Sequence, residues 1–234
     1  MKITKYSQFT FVIENNQGKR LLIDPGKYNY SDQFSSKDFG GVDILIITHK
    51  HADHHDIKAE EELIKLHAPT VFTSEEIGSH DEPKRRGYII KKVGDVIEQD
   101  GFKISLIFTD HFAKGEQVVN FGMFIETDGV SFYHTSDTRF METNMYDYEL
   151  VRNADVLTLP ISNRGVVMGI EDAIVFTSQI VPKIVIPAHY DSPKDSVRVN
   201  PQDFVERFRV LRNRIESLKN VEVQVMNFGD SLEV

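Results

Sequence analysis

The chain contains no cysteine, so neither disulfide bonds nor thiolate metal ligands are available to it. Any bound metal must therefore be held by histidine and carboxylate side chains. The absence of cysteine also fits a reducing compartment. No apolar run approaches the roughly 18 residues that a membrane-spanning helix needs, and no apolar stretch of signal-peptide length follows the N-terminus. The sequence therefore predicts a cytoplasmic protein with no membrane span.

The sequence also has fewer basic residues than acidic residues. The 27 Lys and Arg residues face 36 Asp and Glu residues, which gives a formal net charge of −9. Proteins that bind nucleic acid need a basic surface for the phosphates, so this charge disfavours nucleic acid and favours a small-molecule substrate. With 234 residues and 40% hydrophobic residues, the chain can form one large core. We expect a single domain spanning residues 1–234, and the sequence leaves the oligomeric state open.

Apolar patterning predicts strands in the first half and alternating strands and helices in the second. A hairpin is expected at 9–13 and 20–23, around the turn-like residues 15–18. Helices are expected at 57–66, 171–181 and 201–218. Further strands are expected at 43–47, 70–72, 88–90, 103–108, 122–126, 131–133, 155–159, 183–186 and 221–226. Strands flanked by helices predict a layered α/β architecture.

The densest chemical signal is the run Thr48-His49-Lys50-His51-Ala52-Asp53-His54. Three histidines and one aspartate lie within six positions, directly after a strand-like apolar stretch. Imidazole nitrogens and carboxylate oxygens are the ligands that zinc-like ions prefer. A short loop can aim alternate side chains at different points, so the run can serve two metal ions that lie close together.

Other polar residues also follow predicted strands. Asp24, His111, Asp137 and His189 each lie at or just beyond the end of a strand. Active-site side chains of α/β proteins often gather at the carboxyl ends of strands. The sequence therefore predicts that these scattered residues converge with the histidine run on one two-metal centre.

In order along the chain, these residues resemble the five motifs of the metallo-β-lactamase-fold hydrolases. Several stretches are more narrowly similar to the lactonase-like and N-acylphosphatidylethanolamine phospholipase D-like subgroup: Leu21–Pro25 (LLIDP), His134–Thr138 (HTSDT), Met168–Ala173 (MGIEDA) and Ile186–Tyr190 (IPAHY). The resemblance covers about residues 10–190. It implies a four-layer αββα sandwich with the site at one edge of the two sheets.

The resemblance also implies a role for each residue. Asp137 is expected to bridge the two ions, and Asp24 is expected to hold the histidine loop without binding metal. The first metal is expected on His49, His51 and His111, and the second on Asp53, His54 and His189.

The expected cofactors are two divalent ions, with zinc as the default and manganese as an alternative. Two such ions can share a hydroxide for in-line attack and can polarise a carbonyl or phosphoryl oxygen. Asp53 can also accept a hydrogen bond from that hydroxide and orient it. These features favour a hydrolase of a small ester, lactone or phosphodiester.

The sequence leaves the roles of three residues and one loop open. His55 stands where many relatives have Gly, so either the loop turns differently or His55 enters the pocket. His134 either donates a proton to the leaving group or packs beside the site. Arg164 is a candidate for binding a substrate phosphate or carboxylate. The loop Phe112–Asn120 either covers the site or merely connects two strands. A further departure lies at 6–8, where Tyr-Ser-Gln replaces the Gly-His pair of many relatives.

The sequence disfavours three alternative functions. An RNA-acting nuclease or nucleotide phosphodiesterase with the same metal centre is disfavoured by the net charge of −9. A diiron oxidoreductase is disfavoured because members with that chemistry tend to carry Glu where His51 stands. A non-catalytic metal-binding or partner-binding protein is disfavoured by the intact set of ligand residues.

Overall fold

The computed structural model describes residues 1–78, 87–140, 148–162, 165–193 and 198–234. Within these ranges the first half of the chain forms ten strands and two α-helices. The strands are β1 (Lys2–Lys5), β2 (Phe11–Glu14), β3 (Arg20–Ile23), β4 (Ile44–Ile47), β5 (Thr70–Ser74), β6 (Ile89–Lys91), β7 (Val96–Gln99), β8 (Phe102–Ile107), β9 (Phe112–Ala113) and β10 (Glu116–Gln117). The helices are α1 (Ile57–His67) and α2 (Glu75–Gly78).

The second half of the chain adds six strands and three α-helices in the described residues. The strands are β11 (Gly122–Thr127), β12 (Val130–His134), β13 (Val156–Pro160), β14 (Ile184–Ala188), β15 (Glu222–Val223) and β16 (Ser231–Glu233). The helices are α3 (Tyr148–Val151), α4 (Ile170–Ile180) and α5 (Pro201–Arg212). Short 3-10 helices lie at Lys27–Asn29, Ser36–Phe39 and Glu216–Leu218. No helix in the described ranges is both long and apolar enough to cross a membrane.

Fourteen of these strands form two seven-stranded sheets of the same design, and β9 and β10 form a separate two-stranded sheet. The first sheet has the order β16-β1-β2-β3-β4-β5-β6, and the second has the order β7-β8-β11-β12-β13-β14-β15. In each sheet the first three pairings are antiparallel and the last three are parallel. The carboxyl ends of the parallel strands therefore lie at one edge of each sheet.

Three hydrophobic clusters separate four layers. Ile44 and Ile46 of β4 face the cluster between the two sheets, whereas Leu45 packs with Leu63 of α1 on the outer side. On the other outer side, Leu157 of β13 packs with the helices α4 and α5. Parallel strands that are buried on both faces require continuous apolar sequence, which explains the run at 44–47. The predicted αββα sandwich is confirmed.

Most predicted elements are present within a residue or two of their expected bounds. The largest error is the helix expected at 201–218, which ends at Arg212. The backbone N–H groups of Arg214 and Ile215 both donate to the carbonyl of Leu211, at 2.8 and 2.9 Å. This tight turn redirects the chain so that Leu218 re-enters the core, where it is fully buried.

The histidine loop after β4 lies directly on the segment that follows β3. Lys27 donates its backbone N–H to the carbonyl of Ala52 at 2.8 Å. A Cβ atom placed on Gly26 would lie 1.8 Å from the carbonyl oxygen of Asp53 and 2.6 Å from the backbone nitrogen of His54. The backbone of Gly26 has an ordinary extended conformation. Glycine is therefore needed at this position for close approach and not for its torsion angles.

We expect Gly26→Ala to destabilise the protein by about 1–3 kcal/mol, because overpacking of this size forces the backbone to move. The same shift should reduce the divalent metal content, since it displaces the loop that carries the histidines. Gly41→Ala is the matched control, because a Cβ there would meet nothing within 4 Å. Urea unfolding and metal analysis of both variants check the prediction, and equal effects of the two substitutions would contradict it.

Candidate metal centre

Strand ends bring the predicted residues together at one edge of the sandwich. The histidine loop follows β4 of the first sheet, whereas His111, Asp137 and His189 follow β8, β12 and β14 of the second. Asp24 follows β3 directly. The two sheets thus contribute ligands from opposite sides of the same edge.

The first group of side chains, which we call site A, consists of His49, His51, His111 and Asp137. The Nδ1 atom of His51 lies 3.1 Å from the Nε2 atoms of both His49 and His111. The Oδ2 atom of Asp137 lies 3.9 Å from Nε2 of His49 and 3.6 Å from Nε2 of His111. Ligands at about 2.0–2.1 Å from a tetrahedral zinc ion are separated by about 3.3–3.4 Å, so this spacing fits a metal ion.

The second group, site B, consists of Asp53, His54, His189 and the same Asp137. The Oδ1 atom of Asp137 lies 3.3 Å from Nε2 of His54 and 3.3 Å from Nε2 of His189. The Oδ2 atom of Asp53 lies 3.4 Å from Nε2 of His189. The two carboxylate oxygens of Asp137 therefore face different groups, as a bridging ligand requires.

Three buried atoms of site B have no hydrogen-bond partner among the described residues: Nε2 of His54, Nε2 of His189 and Oδ1 of Asp137. A buried polar atom without a partner is costly, and proteins keep few of them. These three atoms lie close together, since Oδ1 of Asp137 is 3.3 Å from each of the two nitrogens. A cation among them would satisfy all three. The donor set therefore fits a divalent metal ion.

The rings of His111, His54 and His189 each form a hydrogen bond through the nitrogen that faces away from the site. This bond orients each ring so that its other nitrogen faces the site. Nδ1–H of His111 donates to the carbonyl oxygen of Val166 at 3.0 Å, which leaves the Nε2 lone pair free for site A. Nδ1–H of His54 donates to Oδ2 of Asp24 at 2.8 Å, which leaves its Nε2 for site B. Nδ1 of His189 lies 3.0 Å from Oγ of Ser162.

Asp24 holds the start of the histidine loop. Its carboxylate accepts hydrogen bonds from the backbone N–H and the hydroxyl of Thr48, both at 2.7 Å, and from His54. The Thr48 oxygen in turn accepts from Nδ1–H of His49 at 3.0 Å. Because these donors occupy the fully buried carboxylate, Asp24 lies where a positioning residue is expected.

The charges of the cluster balance one another. Burial would raise the pKa of the Asp137 carboxyl, but His189 and His54 hold that pKa well below its usual range. Burial would lower the pKa of His54, but Asp137 and Asp24 hold it well above its ordinary value. Burial, with the neighbouring His54, lowers the pKa of His49 well below its ordinary value. A cation in site B would therefore balance the negative charge of Asp137 in place of protonated histidine.

The structure does not bring His134 into the cleft. Its ring is fully buried, Nε2–H donates to the carbonyl of Phe9 at 3.1 Å, and Nδ1 accepts from the N–H of Ser136 at 3.2 Å. Burial lowers the pKa of His134 to about 4, so the ring is neutral near pH 7. This environment favours the packing role that the sequence left open.

His55 also points away from both sites. Its Nε2 lies 2.5 Å from Oε2 of Glu60 in α1, and its backbone N–H donates to the carbonyl of His51. The loop thus turns at this position without glycine, and His55 links it to the helix. Arg164 lies outside the described residues.

A cleft of about 390 Å³ opens onto the two sites, and His51, Asp53, His111, Asp137 and His189 line it. The loop Phe112–Asn120 contains the small hairpin β9–β10, and its residues Ala113 and Lys114 form part of the cleft wall. The hairpin therefore borders the cleft and is more than a plain connection.

Sequence reasoning missed several residues that the structure places here. Ser162 follows β13, so the same strand-end argument that found His189 could have found it. Thr48 has no signal apart from its position beside His49. Gln8, Lys27 and Lys114 line the cleft. Gln8 and Lys114 lie in the segments 6–8 and Phe112–Asn120, which the sequence singled out without assigning these residues a role. Gln8 precedes β2, and because β2 is antiparallel to β3, its amino end lies beside the carboxyl end of β3.

Known proteins share both the sequence pattern and the fold. Residues 2–189 match the model of the beta-lactamase superfamily domain. A UPF0173 metal-dependent hydrolase of Methanocaldococcus jannaschii is 32% identical over 99% of this chain and 100% of its own length. A UPF0173 metal-dependent hydrolase of Methanosarcina mazei is 27% identical over 100% of this chain and 99% of its own length.

Among solved structures, a metallo hydrolase of the hyperthermophilic archaeon Ignicoccus hospitalis is similar with a TM-score of 0.78 and 25% identity. The similarity covers 100% of this chain and 98% of that one. Together with the clustered histidines and aspartates, these likenesses make the protein a metal-dependent hydrolase. The chain belongs to the beta-lactamase superfamily and, within it, to the UPF0173 metal-dependent hydrolases.

Proposed function

We propose that this protein is a dinuclear hydrolase that cleaves a small ester, lactone or phosphodiester. The observation that carries the proposal is the bridging position of Asp137, whose two oxygens face site A and site B separately. The narrower kinship to the lactonase-like and phospholipase D-like subgroup belongs to the same proposal. It is supported by the motifs at 21–25, 134–138, 168–173 and 186–190.

Sites A and B would each hold one divalent ion, most simply zinc, because the donors are imidazole and carboxylate without thiolate. When bound, two such ions lower the pKa of a shared water toward about 7 and polarise the oxygen of the scissile group. Asp53 is proposed both to hold the second ion and to orient the attacking water. Burial would raise the pKa of Asp53, but His189 and His54 keep it below its usual range, so the carboxylate stays ionised and can accept a hydrogen bond.

The cleft favours a small substrate over a polymer. Its volume of about 390 Å³ lies within the range that small ligands occupy. Lys27 and Lys114 line it, are exposed, and form no ion pair among the described residues. Two lysines can attract a carboxylate or phosphate, but they do not form the basic groove that a nucleic-acid strand needs. The nuclease alternative therefore gains no support from the cleft.

Metal counting tests the two-site arrangement. We expect the wild-type protein to bind two zinc ions, and His111→Ala or His189→Ala to bind one, because each removes a ligand from a single site. Asp137→Ala should impair both sites, since it removes the bridge. Turnover should fall at least about 100-fold in all three variants. The loss of a metal ligand should reduce activity more than the loss of a residue that only forms a hydrogen bond to a ligand. His67→Ala, at the end of α1, is the control, and full metal content in the three site variants would refute the arrangement.

A substrate panel tests the reaction. We expect zinc-loaded protein to hydrolyse one class among γ-butyrolactones, p-nitrophenyl esters and bis(p-nitrophenyl) phosphate, because one metal centre can polarise either a carbonyl or a phosphoryl oxygen. Removing the metal with a chelator should abolish the activity, and zinc should restore it. Activity that survives complete metal removal would contradict the proposal.

We further propose that His134 packs beside the site and does not act as the general acid. His134→Phe should lower the free energy of unfolding by about 1–3 kcal/mol, because the carbonyl of Phe9 and the N–H of Ser136 lose their partner. The turnover of the metal-loaded variant should change less than about 3-fold, with the same pH–rate profile. A general acid would contribute about 10²–10⁴-fold, so a loss of that size at unchanged stability would restore the acid role.

A further inference from the structure

Gln8, a residue of the cleft wall, has a side-chain amide without a hydrogen-bond partner among the described residues. The residue is fully buried, yet neither Oε1 nor Nε2 has a hydrogen-bond partner among the described residues. Gln8 is also one of the residues that line the cleft. Burying a primary amide without hydrogen bonds is costly, because the group loses its bonds to water and gains none. An amide kept in this state at a binding cleft indicates a partner that arrives with the ligand.

The main chain of Gln8 is fixed by its neighbours. Its backbone N–H donates to Oδ1 of Asp191 at 2.8 Å, and its carbonyl accepts from the N–H of His189 at 3.3 Å. The other oxygen of Asp191 accepts from the buried ammonium of Lys5 at 2.8 Å. The backbone of Gln8 has a φ of +56°, which a non-glycine residue adopts only when its surroundings hold it.

These contacts place the amide on the side of the cleft where site B lies. Gln8 is bonded through its backbone to His189, a residue of site B. The neighbouring ring of Phe9 packs 5.8 Å from the ring of His189 and 6.1 Å from the ring of His54, measured between centroids. A substrate whose reacting group lies over Asp137 would therefore pass its adjoining substituent close to Gln8.

We propose that Gln8 is a specificity residue that binds an amide-like group of the substrate next to the bond that is hydrolysed. A carboxamide offers two N–H donors and one carbonyl acceptor side by side. A substrate amide, with its own N–H and carbonyl, satisfies both sides, whereas a carboxylate would leave Oε1 unpaired and an apolar group would leave both atoms unpaired. This assignment rests on the proposed hydrolytic function in one respect, since that function places the reacting group of the substrate over Asp137.

Two hydroxamates of matched shape test the proposal by binding, so that no turnover is needed. Both anchor on the metal centre, but N-acetylglycine hydroxamate carries an amide where 4-methylpentanohydroxamate carries only carbon. We expect zinc-loaded wild-type protein to bind the amide compound about tenfold more tightly or better, as expected when one buried hydrogen-bonding group would otherwise stay unpaired. Calorimetry measures both affinities, with the zinc content checked after each titration.

Gln8→Met should reduce that preference to less than about 3-fold, because methionine has similar length but cannot form these hydrogen bonds. Gln33→Met, at an exposed glutamine, is the matched control and should keep the full preference. Equal binding of the two hydroxamates to the wild-type protein would overturn the proposal, as would a preference that survives in Gln8→Met.

Thermal unfolding separates this role from a purely structural one. Without ligand, metal-loaded Gln8→Met should melt at the wild-type temperature or about 2–4 °C above it, because it removes an unpaired buried amide. A lower melting temperature with equal weakening of both hydroxamates would assign Gln8 a structural role and overturn the proposal. A wild-type protein that shows the preference but hydrolyses nothing in the panel would refute the hydrolytic function and leave the role of Gln8 standing.

Discussion

The carboxylate of Asp137 is the point at which the two halves of the molecule meet. It comes from the second sheet, yet its oxygens face His49 and His54 from the first sheet as well as His111 and His189 from its own. The donor atoms can keep this spacing only if the two sheets keep their relative position. The core between the sheets therefore does more than stabilise the fold. Its close packing sets the distances within the candidate metal centre, because packed interiors resist deformation.

Asp24 occupies a position in the first sheet that corresponds to that of Asp137 in the second, but it has a different role. Asp24 follows β3 and Asp137 follows shortly after β12, and these strands occupy the same position in the order of the two sheets. Asp24 is occupied by hydrogen bonds from Thr48 and His54, whereas Oδ1 of Asp137 has no hydrogen-bond partner in the part of the chain that the structure describes. The same local design thus positions a loop in one half and offers a ligand atom in the other. The difference follows from which donors lie opposite each carboxylate.

Sequence patterns predicted the parts of this protein that follow one local rule. The strand β4 is a continuous apolar run because both of its faces are buried, and the residues of sites A and B lie at or near strand ends. The strand β1 was not predicted, because Lys2-Ile3-Thr4-Lys5 alternates polar and apolar residues over only four positions. Lys5 is fully buried there through its ion pair with Asp191, a partner that lies 186 residues away. No local pattern can reveal a pairing over that distance.

The cleft wall was the least predictable part, for a physical reason. Metal ions require particular donor atoms at particular distances, so only a few residue types can serve as their ligands. Residues of a cleft wall have no such restriction, and Gln8, Lys27 and Lys114 lie on segments without any shared periodicity. Their positions result from the antiparallel pairing of β2 with β3, the close packing on Gly26, and the hairpin β9–β10. The side chains at these three positions can thus change without removing a ligand, because Gln8 and Lys27 contact the ligand-bearing loops through their backbones.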